Sequence, residues 1–188
     1  MPLSGRITAT GTLAALGKLA AIASLTITGG DLLSDVRTLG AIGAVSVKAS
    51  KLGLGGSLNT ASILAAKIAS ITVAKNITDS ILLAGATFGA DGALGGGDDT
   101  FATGKIGAIA IGGNVTESLI GAGYSSTNAT FGDGDDTILG GIASSIAKLI
   151  IKGTADPDSR FAAGKFTAAP KIGTATITPS TDARFLIV

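Results

Sequence analysis

The sequence predicts an all-β protein: a single-stranded parallel β-helix, or solenoid, right-handed, with about six to seven coils and two loop insertions, forming one domain over residues 1–188. Three observations predict it. First, the stretch Lys67–Gly85, KIASITVAKNITDSILLAG, returns at Lys105–Gly123 as KIGAIAIGGNVTESLIGAG. Second, the alternation apolar-x-apolar-x recurs along the whole chain, as expected of strands with one buried face. Third, the intervals between copies are unequal, as when a constant unit carries insertions at one of its turns. Right-handedness is the general preference of parallel crossovers.

In chain order, the alternating strand reads Ile7-Thr-Ala9-Thr, Leu25-Thr-Ile27-Thr, Val45-Ser-Val47-Lys, Ile71-Thr-Val73-Ala, Ile109-Ala-Ile111-Gly, Leu149-Ile-Ile151-Lys and Ala175-Thr-Ile177-Thr. Successive first residues lie 18, 20, 26, 38, 40 and 26 positions apart. Six copies have an isoleucine three residues earlier, at 22, 42, 68, 106, 146 and 172, and each isoleucine is followed by Ala or Gly. A second strand follows a polar corner, at Ser34–Val36, Ala61–Leu64, Asp79–Leu83, Glu117–Ile120, Asp158–Phe161 and Asp182–Leu186. A third short strand is expected to contain the isoleucines at 68, 106, 146 and 172. Three strands per coil give a prism whose bore Ala, Ile, Leu and Val fill, with coils spaced at ~4.8 Å. Strands paired on both sides leave no free edge to aggregate.

Composition narrows the function. The net charge of +1 gives no electrostatic footprint for nucleic acid. Cysteine, histidine and tryptophan are absent, which removes disulfides, thiolate sites, the commonest general base and the commonest transition-metal ligand. Aromatics make up 4%, poor for stacking on sugars or bases. Mean hydropathy is high, +0.55, but the apolar residues come in short runs, whereas a spanning helix needs ~20 in succession; no membrane insertion is expected. Gly11–Leu25 contains Lys18 and follows no basic segment, so it does not read as a signal peptide.

The residues best suited to chemistry lie in the insertions, Gly89–Gly104 (GADGALGGGDDTFATG) and Ser126–Gly141 (STNATFGDGDDTILGG). Asp91, Asp98 and Asp99 of the first, and Asn128, Asp133, Asp135 and Asp136 of the second, supply hard oxygen ligands among glycines that let carbonyls converge. Ca²⁺ takes six to eight such oxygens at ~2.3–2.6 Å. If the loops stack, the two sets lie together. The opposing reading is a pair of solvated turns, where Asp-Gly is common for backbone reasons. The nonapeptide Phe131–Leu139, FGDGDDTIL, resembles the calcium-binding repeats-in-toxin family, with Phe131 where that family's pattern has glycine; the resemblance implies Asp side chains and carbonyls holding Ca²⁺ between turns.

A row of acids, Asp35, Asp79, Glu117, Asp158 and Asp182, occupies equivalent corners with Thr60 interrupting, to be relieved by Arg37, Arg160 and Arg184 or by solvent. Asn59, Asn76 and Asn114 precede the corner and read as a ladder serving turn backbone groups. The sequon matches at Asn76, Asn114 and Asn128 are explained by the same turns. Lys18, Lys67, Lys105 and Lys171 read as a solubilising row. Thr-x-Thr pairs at Thr8/Thr10, Thr26/Thr28 and Thr176/Thr178 do not continue through the middle of the chain, so no ice-binding array is expected. Gly95–Gly97 is followed by no Gly-Lys-Ser/Thr and is no phosphate loop.

Gly113–Gly123 (GNVTESLIGAG) and Gly132–Thr137 (GDGDDT) resemble the β-solenoid repeat regions of large bacterial cell-surface and secreted proteins. The resemblance implies a non-enzymatic structural or adhesive extracellular module, stabilised by Ca²⁺, whose partner is a cell-surface polysaccharide or another copy of itself. The alternative is a carbohydrate-binding or carbohydrate-active β-helix, marked by a groove where two or more carboxylates and a basic residue converge. A second alternative is an intracellular polymerising solenoid, against which the irregular insertions argue.

Overall fold

Five long strands, Ala20–Thr28, Ala41–Lys48, Lys67–Val73, Lys105–Ile111 and Ser145–Ile151, lie side by side and parallel in that order. They belong to a computed structural model that describes residues 7–9, 20–95, 97–128, 130–131 and 133–188, with side-chain surroundings from residue 22 onward. Lys18, Thr10, most of Gly11–Leu25, and Gly96, Ala129 and Gly132 of the insertions lie outside the described residues. The register stacks like on like. Ile22, Ile42, Ile68, Ile106 and Ile146 form one row, Leu25, Val45, Ile71, Ile109 and Leu149 a second, and Ile27, Val47, Val73, Ile111 and Ile151 a third. A one-residue slip would turn every one of these side chains to the opposite face.

All three rows lie on one continuous strand, so the isoleucines at 68, 106 and 146 do not form the separate third strand that the spacing predicts. In Lys67–Val73, Ile68 and Ile71 are both buried while Ala69 and Ser70 between them face outward. The strand bends at this doubled position, and the same bend recurs in register in Lys105–Ile111 and Ser145–Ile151. The Ala or Gly after each isoleucine follows from it. A Cβ on Gly107 would stand 2.0 Å from the carbonyl oxygen of Ala69, and one on Gly43 would stand 2.0 Å from that of Ala23.

The third face is instead made of two-residue strands, Leu58–Asn59, Ile77–Thr78 and Val115–Thr116, extended by bridges from Leu32 to Leu58 and from Val115 to Ala155. Leu32, Leu58, Ile77 and Val115 are buried there. The remaining face is a parallel sheet of Ile7–Ala9, Val36–Thr38, Ser62–Ala65, Ile81–Ala84, Leu119–Ala122, Arg160–Ala163 and Phe185–Leu186. Its register aligns Val36, Ile63, Leu82, Ile120, Phe161 and Phe185. All three sheets contribute to one apolar cluster, where each fully buried Ile, Leu or Val side chain contributes about 1.5–3 kcal/mol.

The chain's ends depart from the predicted series. Ile7–Ala9 pairs with Val36–Thr38, so it belongs to the seven-stranded sheet and not to the long strands. At the other end, Lys165–Phe166 and Lys171–Ile172 together make the last level of the long-strand sheet, with Phe166 opposite Ile146 and Ile172 opposite Ile151. Ala175–Thr176 is not a further parallel copy; it turns back antiparallel onto Lys171–Ile172. The interruption at 167–170 shifts the isoleucine from the first row to the third.

The insertions are hairpins rather than free loops. Ala86–Thr87 pairs antiparallel with Thr100–Phe101, and Tyr124–Ser125 with Thr137–Ile138. Both fold onto the outer face of the seven-stranded sheet. Phe88, Leu94, Tyr124, Phe101, Phe131 and Ile138 meet Leu64, Leu83, Leu119 and Ala162 in a second apolar cluster. This explains the unbroken run Ile81-Leu82-Leu83: Leu82 fills the main core while Leu83 faces the hairpins, and a strand covered on both faces loses its alternation.

Candidate functional site

The corner between the two-residue strands and the seven-stranded sheet is a left-handed turn, with Thr60, Asp79 and Glu117 at φ of 48°, 46° and 47°. Side chains stitch each turn to the next level. The Asn76 Oδ1 accepts the N–H of Asn114, and the Asn114 Oδ1 accepts that of Thr154, both at 2.9 Å. The ladder predicted for asparagine is therefore present, but Asn59 is not in it: Asn59 pairs with Thr78, and Asp31 fills the role one level earlier by accepting the Ser57 N–H at 2.8 Å. Gly113 leaves room for the rung, since a Cβ there would stand 2.1 Å from the Asn76 Oδ1. A serine ladder runs alongside. Ser118 Oγ accepts the Ser80 N–H and donates to the Thr116 carbonyl, while Ser80 Oγ accepts the Ala61 N–H and donates to Thr78.

The acidic row is shorter than predicted. Ile81, Leu119 and Arg160 are opposite one another and Phe161 is opposite Phe185, which sets Asp79, Glu117, Asp158 and Asp182 at matching positions. Asp35 falls out of the row, because Val36 pairs with Ile63 and Asp35 therefore faces Ser62, whose N–H it accepts at 3.1 Å. Two of the predicted arginine partners are in place. Arg37 and Asp35 are 2.6 Å apart, as are Arg184 and Asp182. Arg184 holds the Asp182 carboxyl below its ordinary range. Arg160 instead donates to the carbonyls of Pro157 and Ser159 and lies over the Phe131 ring. Glu117 is pushed above the ordinary glutamate value, first by the hydrogen bond it shares with Asp79, then by the charges of Asp79, Asp156 and Asp158. Asp156 accepts the N–H groups of Glu117 and Ser159.

Each hairpin gathers its own acids. Asp91, Asp98 and Asp99 offer carboxylate oxygens within 4.8 Å of one another, and so do Asp133, Asp135 and Asp136. Each hairpin thus gathers a triad of its own. In the first, the carboxylates are oriented by backbone N–H groups: Asp98 accepts from Ala90 at 2.6 Å, Asp99 from Gly89 at 2.9 Å and Gly95 at 2.7 Å, and Asp91 from Ala93 at 3.0 Å. In the second, side chains do more of it. Asp135 accepts from Thr127 and Ser126, and the Asn128 amide donates to both Asp133 and Asp135. Asp135 is held well below the ordinary aspartate range, first by its hydrogen bond with Asp133, then by those from Thr127. Asp136 accepts the buried Tyr124 hydroxyl at 2.7 Å; burial first, then this bond, raises the tyrosine. Asn128 thus joins its triad as a donor, with its Oδ1 turned to the Thr130 N–H. A carboxylate oxygen carries more than one lone pair, so these bonds leave ligand capacity in both groups.

Between the hairpins the corner opens into a cleft of about 410 Å³, which sequence reasoning missed. Asp79, Glu117, Asp158 and Arg160 line it together with Ile81, Leu119, Leu94, Tyr124 and Phe131. The acids were visible as a repeat; the hairpin residues that share the lining with them were not. Among the described residues no helix is long and apolar enough to cross a membrane. No known protein family, curated protein or solved structure matches the chain.

Proposed function

We propose that the chain is a right-handed parallel β-helix serving as a non-enzymatic structural and adhesive module of a bacterial cell-surface or secreted protein, with Ca²⁺ held by its two Gly-Asp hairpins. The observation that carries this reading is the like-on-like register of the five long strands, with both insertions folded over one outer face. Such a body is stiff, and its variable parts are displayed on one side. Partly exposed carboxylate triads with few further ligands suit the weak sites, at ~10⁻⁴–10⁻³ M, that extracellular Ca²⁺ modules use. Thermal melting with Ca²⁺ and with chelator tests it. A single native-state site at one hundred times Kd adds about 2.7 kcal/mol, a rise in Tm of roughly 5–10 °C for a chain of this size. Asp98→Asn with Asp99→Asn, and Asp133→Asn with Asp135→Asn, each remove part of the rise. An unchanged Tm at ~10–100 mM Ca²⁺, one hundred times those dissociation constants, overturns the metal reading.

A second reading, a carbohydrate-binding surface on the insertion side, is favoured by the cleft, where three carboxylates and Arg160 converge beside apolar walls. Cell-surface polysaccharide is then the partner of the adhesive module.

A further inference from the structure

A third insertion lies at the corner between the long strands and the two-residue strands. That corner takes four steps from Val73 to Ile77 and from Ile111 to Val115, but eleven from Val47 to Leu58. The extra residues form a fixed loop. The Ser50 N–H donates to the Leu54 carbonyl at 2.8 Å, the Gly53 N–H to the Ser50 carbonyl at 2.9 Å and the Leu54 N–H to the Ser50 Oγ at 3.1 Å. Lys75 Nζ donates to the Gly53 carbonyl. Gly55 and Gly56 seat the base, where a Cβ would stand 2.5 Å from the Gly30 nitrogen and 2.8 Å from that of Ala49. What this loop holds out is apolar: Leu52 is 86% exposed and Leu54 62%. The two hairpins fold their large apolar residues down onto the sheet; this loop turns its own toward solvent.

The charge beside these leucines has one sign. Lys51 precedes them, Lys48 ends the strand that feeds the loop, and Lys75 is bonded to its tip; all three are exposed. No acid occurs from Val36 to Thr78. None occurs in any strand of the long-strand sheet, which also carries exposed Lys67, Lys105 and Lys148. Among the described residues, no carboxylate pairs with these lysines. Asp31 sits at the base of the loop, accepting the Ser57 N–H. The net charge of +1 therefore conceals a division, with most of the acids gathered at the hairpins and the acidic corner.

Exposed leucine gains from hydrocarbon, and unpaired lysine from anions. Nucleic acid and acidic polysaccharide supply the charge without a hydrocarbon layer. A second copy docked through the same loop sets lysine against lysine. The interface of an anionic bilayer supplies both, and two weak signals together hold a protein where either alone does not. We propose that this loop is a peripheral membrane-docking site: Leu52 and Leu54 enter the headgroup region of an anionic phospholipid bilayer, and Lys48, Lys51 and Lys75 meet its phosphates. The chain is held at the surface of the bilayer.

Co-sedimentation of the full chain with lipid vesicles tests this, in chelator so that the Gly-Asp hairpins carry no cation. One set of vesicles is equal parts phosphatidylglycerol and phosphatidylcholine, the other phosphatidylcholine alone. Binding to the anionic set alone supports the proposal when it falls about tenfold or more in Leu52→Ser with Leu54→Ser, about fivefold in Lys51→Gln, and further with added salt. The substituted side chains are exposed, so each variant keeps the melting transition of the parent. Undiminished binding of the leucine variant reduces the attraction to charge and overturns the proposal. Equal binding to both sets leaves the lysines no part and overturns it, as does binding to neither. A dimer in analytical ultracentrifugation that disperses in the leucine variant, with no vesicle binding, makes a second copy the occupant and also overturns it.

Discussion

Two kinds of residue hold each level to the next: apolar side chains in rows, and small residues where backbones come close. The second kind is the less forgiving. A methyl group at Gly107 would sit 2.0 Å from the Ala69 carbonyl oxygen, and the carbonyl, held in a bent strand between two others, has little room to move. Gly107→Ala is expected to destabilise the protein by about 2–3 kcal/mol, read as a lower urea midpoint at unchanged slope; a loss under about 0.5 kcal/mol would mean that the bend adapts. The rule that Ala or Gly follows each isoleucine was plain in the sequence, but its cause was not. Only the register shows that Gly43 and Gly107 face a carbonyl of the previous level. The asparagine ladder was legible in the same partial way. Asn76 and Asn114 do stitch the turns, whereas Asn59 lies in the adjacent strand, because position relative to the paired strand decides the role and residue type does not.

Strands with one wet face were legible because period-two alternation is a direct imprint of burial. The hairpins were not. Their pairing rests on two residues per arm, too few to make a pattern, and the Gly-Asp segments between read equally well as free loops. The apolar run Ile81–Leu83 carried the missing signal, a strand buried on both faces. One long-range contact holds the first hairpin down. Arg37 bonds Asp35 at 2.6 Å and the Gly92 carbonyl at 2.5 Å, and its guanidinium lies 5.2 Å from the Phe88 ring centre. Arg37→Ala removes a charge-assisted bond and a cation–π contact, and is expected to cost about 1–3 kcal/mol. Hydrogen exchange would locate the loss: amides of 86–101 exchange faster while those of Lys67–Val73 keep their protection. Uniform loss of protection would mean that the hairpin and the main core unfold as one unit.

At the scale of the molecule, two sets of carboxyl groups pull the pH dependence in opposite directions. Asp135, Asp156 and Asp182 are lowered from 3.8 in the folded state, so their stabilisation is present above that value and is lost as pH falls through their folded values. Glu117 is raised from 4.5, so its contribution is fully present below that value and is lost as pH rises through its folded value. Stability is therefore expected to fall steeply below about pH 4 and to decline slightly above the glutamate range. In Glu117→Gln the decline on the alkaline side disappears and Tm near neutrality rises, while the acid limb stays in place. A melting series over pH checks both limbs, and an alkaline limb unchanged in the variant would remove Glu117 as its source.

The register has a consequence for how such a molecule changes over generations. Paired residues of neighbouring levels are 19, 38 or 40 positions apart, as in Ile63 with Leu82, Leu82 with Ile120 and Ile106 with Ile146, and like stands opposite like in each case. A genetic duplication of one such unit would add a level whose two faces already match those on either side. Length can then be inherited in whole steps, while the segment after each Gly85-like position drifts under its own selection, so that reach and surface specificity evolve independently.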